Sequence, residues 1–185
     1  MQRTFFKGGL FLNRDYDEPK FVDVVSTKNN GAETEILDEI KGLCKDQPFA
    51  VLATQGEGQP YVSLISFAIS EDLRQIVFST PSQTRKFTLI SSNDKVSLMI
   101  DNRSQQPESI NLICGLTITG HARVLDDPKE IEEWGRALTA KHGYLQKFVD
   151  SNTSNLILVE TTRFFYVRRF QEVYQWAPGS NAASP

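Results

Sequence analysis

Cysteine and histidine are scarce in this chain, which has two of each in 185 residues. Cys44 and Cys114 are far apart, lack metal-ligand spacing and lie among apolar neighbours. We interpret both as small buried hydrophobes rather than as metal ligands. Because His121 and His142 are the only histidines, a metal site built from several histidines is excluded.

Long apolar runs and an excess of one charge are also absent from the sequence. No run approaches the length that a bilayer-spanning helix needs. The apolar residues near the start are interrupted by Lys7 and followed by Asn13, Arg14 and Asp15, which is not the pattern of a secretory signal. The 20 basic residues nearly balance the 23 acidic ones. The composition therefore lacks the excess positive charge that would favour binding to nucleic acid or to an anionic membrane. We expect a cytoplasmic protein.

The chain length suits one domain with two flanking segments. Residues 1–32 form an N-terminal arm without sustained periodicity. We expect this arm to pack on the domain or on a partner subunit, because its phenylalanines are too apolar for a solvated tail. Residues 33–176 form the main domain. Residues 177–185 have low complexity and are predicted to be a flexible tail.

Alternating apolar residues predict β-strands through most of the domain. The predicted strands are 49–54, 61–69, 75–80, 96–100, 112–125, 156–161 and 163–176, the last with a break near Gln171. Gly115 and Gly120 in the fifth of these predict a bulge or the close approach of another backbone or a ligand. Runs of antiparallel strands with few helices indicate a mainly β (α+β) fold rather than alternating βαβ units.

Helical periodicity is confined to a few segments. Apolar residues share one face over 33–46, and a short helix is predicted over 83–91. Asp127 and Pro128 begin a third helix as cap and first residue, and Lys141 to Gly143 ends it. His142 is interpreted there as a partner of the helix C-terminal dipole. Residues 144–149 are predicted to add a further turn or two.

The segment 75–101 has the local chemistry of an anion site. A short strand ends in a turn rich in hydroxyl groups, and Arg85 and Lys86 follow at the start of the predicted helix. Hydroxyl donors, fixed positive charge and free N–H groups at a helix N-terminus together favour a phosphate. The alternative is that Arg85 and Lys86 belong to the solvated face of a short helix.

Three segments carry a family resemblance, in this order and spacing: GQPYVSLISFAIS, IVFSTPSQTRKFTLISSNDKVSLMID and LTITGHARVLDD. Over roughly residues 37–176 the chain resembles the pyridoxamine 5′-phosphate oxidase-like FMN-binding split-barrel family. The resemblance implies a six-stranded antiparallel split β-barrel with peripheral helices. It also implies a homodimer with FMN bound at the interface.

The resemblance further implies which residues bind FMN. Arg85 and Lys86, helped by Thr84, would hold the phosphate, and the remaining positions would line the ribityl chain or the ring. These remaining positions are Ser63, Ser66, Ser79 and Thr80, with Trp176 beside the flavin ring across the dimer, although Trp176 is also explained as a core or interface aromatic.

The chain departs from the pyridoxamine phosphate oxidases proper at two places. Those enzymes carry an arginine and a lysine on the strand that matches 61–67, and YVSLISF contains no basic residue. The glutamine that they place before the strand matching Leu116 is Gly115 here. The chain is therefore not a typical pyridoxamine phosphate oxidase.

The function that the resemblance implies is a flavin-dependent oxidoreductase of unknown substrate, with hydride passing through FMN and NADH or NADPH as a candidate donor. One alternative is a non-catalytic flavin carrier or sensor. Another is a haem-binding relative, because a branch of the superfamily binds haem, and its axial ligand would be His121 or His142. No nucleic-acid or membrane partner is expected.

Overall fold

The computed structural model describes residues 20–23, 30–106, 109–169 and 172–178. Within them the strands are β1 Lys20–Asp23, β2 Phe49–Gly56, β3 Gln59–Ile69, β4 Gln75–Pro81, β5 Lys95–Asp101, β6 Gly115–Val124, β7 Ser154–Arg168 and β8 Glu172–Trp176. The α-helices are α1 Asn30–Asp46, α2 Arg85–Ser92, α3 Pro128–Lys141 and α4 Gln146–Val149. Short 3-10 turns cover Arg103–Gln105, Ile110–Leu112 and Gly143–Leu145.

Most of the predicted arm and tail lies outside the described residues. Of the arm, Lys20–Asp23 pairs in parallel with β8. None of the helices in the described ranges is long and apolar enough to cross a membrane.

Strands β2 to β7 close into a six-stranded antiparallel barrel. The order around the ring is β7, β4, β3, β2, β5 and β6, and β6 pairs with β7 to close it. β8 pairs with the far end of β7, outside the ring. This architecture confirms the mainly β fold class predicted from the sequence.

The barrel is split between β3 and β4. β3 pairs with β2 from Gln59 to Ser66, but with β4 only from Phe67 to Ile69. β4 ends at Pro81, which lacks an N–H donor, and the chain turns directly into α2. Side chains of α2 then pack on the core inside the barrel, where Ile90 is buried and Phe87 half-buried. The first half of β3 and the start of α2 therefore face each other across the split.

Two apolar clusters stabilise this arrangement. The interior of the barrel is filled by fully buried side chains such as Phe67, Phe78 and Phe164, and α1 packs on this cluster through Ile36 and Ile40. A smaller cluster lies between the outer face of the barrel and α3; its buried members are Ala68, Val77, Leu125, Leu138, Leu156 and Leu158.

Two predicted strand boundaries were wrong. The strand predicted over 112–125 begins at Gly115, because Ile110–Leu112 is a 3-10 turn and the Asn102 side chain accepts a hydrogen bond from the Cys114 N–H at 2.7 Å. The runs 156–161 and 163–176 were predicted to be separate strands, but β7 continues through Thr162. A register shift against β6 at Thr119 and Gly120 absorbs Thr162 as a bulge, which bends the strand around the barrel.

Gly120 and Gly115 share β6 but differ in the space around them. A Cβ at Gly120 would lie 2.5 Å from the carbonyl oxygen of Glu160, whereas a Cβ at Gly115 would meet nothing within 4 Å. Because the Glu160 carbonyl is backbone, it cannot rotate away. We expect Gly120→Ala to lower the free energy of unfolding by about 1–3 kcal/mol and Gly115→Ala to change it by less than about 0.5 kcal/mol. Denaturant titration of the two variants checks this, and equal stabilities would contradict it.

Candidate functional site

The turn before α2 is fixed by two threonines. Thr84 caps the helix: its hydroxyl accepts a hydrogen bond from the Phe87 N–H at 3.4 Å and donates one to the Pro81 carbonyl at 2.9 Å. The buried Thr80 hydroxyl lies 2.9 Å from the Thr84 hydroxyl. Because the Thr84 proton is donated to the Pro81 carbonyl, Thr80 is the donor in this hydrogen bond. Both hydroxyl groups thus donate their hydrogen bonds to acceptors within the turn. In the single chain, Thr80 and Thr84 position the helix start rather than offering free donors to a ligand.

Arg85 and Lys86 occupy the first two positions of α2, where main-chain N–H groups lack intrahelical acceptors. The first turn contains no acidic residue. Among the described residues, no carboxylate forms an ion pair with either side chain. The Arg85 guanidinium lies 5.4 Å from the centroid of the Tyr61 ring, and partial burial lowers the pKa of Lys86. This end of the helix therefore carries uncompensated positive charge.

The predicted serines Ser63 and Ser66 lie on opposite faces of β3. Ser63 alternates with exposed Val62 and Leu64 and shares the inner face with Tyr61, beneath Arg85. Its hydroxyl oxygen is buried and has no hydrogen-bond partner among the described residues. Buried hydroxyl groups are normally hydrogen-bonded, so this one indicates a missing partner.

Two further serines lie on the β4 and β7 side of the split. The Ser79 hydroxyl donates weakly to the Asn155 carbonyl at 3.4 Å. Ser154 pairs with Pro81 and shares a face with Ser79. The Ser154 hydroxyl is buried and, within the described ranges, also has no hydrogen-bond partner. Sequence reasoning missed Ser154, because only the register of β4 against β7 brings it to this turn.

The outward-facing Ser66 is the first β3 residue beyond the pairing with β4. Its hydroxyl lies 3.1 Å from the Tyr144 hydroxyl, which lies 3.3 Å from Nδ1 of His142. Nε2 of His142 lies 2.9 Å from the carbonyl oxygen of Phe67. No pattern in the sequence predicts this contact, since Tyr144 follows Ser66 by 78 positions.

Trp176 lies away from α2 within one chain. It pairs with Phe164 across β7 and β8, and the two rings contact edge to face at 5.1 Å between centroids. Phe164 is ten residues along β7 from Ser154, about 33 Å of strand. A single chain therefore does not bring Trp176 to the turn before α2, and only a partner subunit could supply a copy of Trp176 there.

An exposed apolar face extends from the split across β3, β2 and β5. Leu64 pairs with Val51, which pairs with Met99, and these side chains share the outer side of the barrel. Val62 and Leu64 are 62% and 63% exposed, and Met99 and Phe49 are exposed too. We call these five residues the apolar face. Contiguous exposed apolar side chains of this kind mark contact surfaces.

The chain is similar in sequence and in structure to known proteins. The sequence profile of the pyridoxamine 5′-phosphate oxidase family matches residues 36–176. No curated protein matches the chain. A Clostridium acetobutylicum protein related to general stress protein 26, of the pyridoxinephosphate oxidase family, is similar in structure with a TM-score of 0.61, 19% identity, and coverage of 77% of this chain and 94% of that one.

Two haem proteins are also similar in structure. The haem-binding protein of Mycobacterium smegmatis has a TM-score of 0.69 and 14% identity, and the match covers 77% of this chain but only 57% of that one. HutZ, the haem storage protein of Vibrio cholerae, has a TM-score of 0.59 and 17% identity, covering 67% and 88%. At these identities the likeness shows a shared fold.

Proposed function

Since the chain belongs to the pyridoxamine 5′-phosphate oxidase family, we propose that it binds FMN with the phosphate at the start of α2. The observation that carries this proposal is the uncompensated charge of Arg85 and Lys86 beside free N–H groups. A phosphate dianion offers the acceptors and the negative charge that this helix end lacks.

The residues present fit such a group. Ser63, on the inner face of β3, and Ser154, on the outer face of β7, each hold a buried hydroxyl group that has no hydrogen-bond partner among the described residues, and each can donate to a polar ligand. Thr80 and Thr84 hold the turn in shape, and Ser66 and Ser79 line the split from the outside. The absence of basic residues on β3 leaves Arg85 and Lys86 as the charged phosphate ligands that we propose.

Bound FMN supplies hydride and electron transfer, while the protein supplies orientation and electrostatics. We propose that the protein is a flavin-dependent oxidoreductase that takes electrons from NADH or NADPH. The alternative is a flavin carrier or sensor whose ring is covered.

Mixing the FMN-loaded protein with NADH or NADPH without oxygen distinguishes an oxidoreductase from a flavin carrier or sensor. We expect the blue absorbance of the FMN-loaded protein to bleach when NADH or NADPH is added without oxygen, because an open ring accepts hydride. Dithionite serves as the control, since it reduces a covered flavin as well. Bleaching by dithionite but by neither nicotinamide would contradict the oxidoreductase and favour the carrier.

We also propose that the protein is a homodimer formed through the apolar face. Burying that face would remove exposed side chains such as Val62 and Leu64 from water. Its Phe49 pairs directly with Ser66 and its Leu64 lies two residues from Ser66 on β3, so a partner would close the open side of the FMN site. The partner's copy of Trp176 is the one proposed to approach the flavin ring.

Haem is the second candidate ligand, favoured by the fold shared with haem proteins. His142 is a poor axial ligand, because both of its ring nitrogens are hydrogen-bonded. His121 is exposed and bonds Asp94 through Nδ1 at 2.9 Å, which leaves Nε2 as the nitrogen that could bind iron. Haem binding that is abolished by His121→Ala would support this candidate over FMN.

A reducing compartment such as the cytoplasm is proposed from the cysteines. Cys44 and Cys114 are both free thiols. Burial raises the pKa of Cys44 to about 12, so its thiol stays protonated and unreactive.

A further inference from the structure

A chain of hydrogen bonds leads from the proposed FMN site to a buried histidine. It runs from Ser66 through the Tyr144 hydroxyl to Nδ1 of His142, with oxygen–oxygen and oxygen–nitrogen distances of 3.1 and 3.3 Å. It ends where Nε2 of His142 meets the Phe67 carbonyl at 2.9 Å. His142 is 2% exposed, whereas Tyr144 is 68% exposed.

The end of this chain fixes the direction of every hydrogen bond in it. The Phe67 carbonyl can only accept, so Nε2 of His142 carries a hydrogen. In a neutral imidazole Nδ1 is then an acceptor, and the Tyr144 hydroxyl donates to it. The Tyr144 oxygen in turn accepts from Ser66. The Ser66 hydroxyl proton is therefore directed to Tyr144, and its oxygen can act toward a ligand only as an acceptor.

We propose that His142, acting through Tyr144, determines whether the Ser66 hydroxyl donates or accepts a hydrogen bond at the FMN site. The assignment of Ser66 to that site rests on the proposed function. His142 and Tyr144 are positioning residues in this scheme, since neither is placed in contact with the ligand.

Protonation of His142 would reverse the chain. Nδ1 would then carry a hydrogen and donate to the Tyr144 oxygen, the Tyr144 hydroxyl would donate to Ser66, and the Ser66 proton would be released from Tyr144 for donation to a ligand. One covalent bond forms in this step, the N–H bond on Nδ1 with a proton taken from solvent; otherwise only the hydrogen bonds change direction. A donor at this position favours an anionic or acceptor-rich ligand, so protonation should strengthen FMN binding through this chain.

The surroundings of His142 keep it neutral near pH 7. Burial lowers its pKa, the hydrogen bond to the Phe67 carbonyl raises it, and the Lys141 ammonium lowers it. The groups that face it are that carbonyl from β3, the Tyr144 hydroxyl from the adjacent 3-10 turn, and Lys141 on its own helix. Lys141 is itself held by the carbonyls of Cys44 and Gln47 at the end of α1. The pKa of Lys141 is about 8, so it remains mostly charged where His142 titrates.

Nuclear magnetic resonance of the ligand-free protein tests the chain without FMN. Nitrogen-15 spectra of the two histidines, with His121→Gln to assign them, should show His142 at pH 8 with hydrogen on Nε2 and none on Nδ1. Tyr144→Phe removes the donor to Nδ1 at an exposed site and should shift the titration midpoint of His142. Hydrogen on Nδ1 at pH 8, or a midpoint unchanged in Tyr144→Phe, would overturn the proposal.

FMN affinity provides the functional test. The phosphate of FMN also titrates at a pH of about 6, but this affects both proteins equally and cancels in the ratio of Kd values for Tyr144→Phe and the wild type. We expect the ratio to rise about three- to tenfold as the pH falls from 8 through the midpoint of His142, and Ser66→Ala to abolish that trend. A ratio that is constant with pH would overturn the proposal. Failure of every variant and the wild type to bind FMN would instead overturn the proposed function, while the histidine spectra still decide the chain.

Discussion

The double variant Arg85→Ala, Lys86→Ala should lose FMN binding by at least about a hundredfold. Each side chain is proposed to make a charge-assisted hydrogen bond to the phosphate, worth about 1.5–3 kcal/mol, and β3 offers no other base to replace them. The fold should survive, because within the described ranges neither side chain forms an ion pair and the helix cap belongs to Thr84. Fluorescence titration with FMN measures the loss, and circular dichroism checks the fold.

A matched control removes the same charge elsewhere. Lys41 and Lys45 are exposed and one turn apart on α1, which packs on the barrel core rather than at the split. Lys41→Ala with Lys45→Ala should leave FMN affinity within about twofold, since exposed charges that far away are screened. Equal affinity in the two double variants would refute the assignment of the phosphate to α2.

Leu64→Glu should convert the protein from a dimer to a monomer. Leu64 is 63% exposed in the single chain, so glutamate is tolerated by the fold, but it would place a charge within the proposed interface. An unpaired buried charge costs several kcal/mol, which is enough to dissociate a dimer at micromolar concentration. Light scattering should report 20.9 kDa instead of about twice that mass.

Ile131→Glu provides the comparison for this effect. Ile131 is 40% exposed on α3, outside the apolar face. The Ile131 variant should remain dimeric, and the Leu64 variant should also bind FMN more weakly, because its site loses the partner that closes it. A wild-type monomer, or a Leu64→Glu dimer, would show that the apolar face is not the interface.

Features set by local sequence were predictable. Asp127 and Pro128 begin α3 as expected, since cap chemistry depends only on neighbouring residues. Arg85 and Lys86 do begin α2, one turn after a strand, as the hydroxyl-rich turn indicated. Alternation also predicted most strands of the barrel, and the family resemblance predicted its closure.

Features that depend on distant partners were not predictable. The hydroxyl groups of Thr80 and Thr84 were expected to donate to a ligand, but the turn brings the Pro81 carbonyl and the second hydroxyl within reach. Residue spacing cannot show which hydroxyl already has a partner. The hydrogen bond between Ser66 and Tyr144 likewise forms only because the end of α3 lies beside β3.

The bulge at Thr162 has the same kind of origin. Closing a barrel requires its strands to bend, and β7 bends where β6 shifts register, at Gly120. In the sequence, the polar residues Thr161 and Thr162 resemble the end of a strand, although the pairing of β6 with β7 continues on both sides of Thr162. Thus the sequence predicted the break in pattern but not that one strand spans it.

The absorbance spectrum of the purified wild-type protein, recorded after incubation with FMN and desalting, shows whether the protein binds FMN at the start of α2. We expect retained flavin bands in the blue and near ultraviolet, with one FMN per chain, and their loss in Arg85→Ala, Lys86→Ala. A protein without flavin bands would contradict this proposal, as would an intense violet haem band that depends on His121.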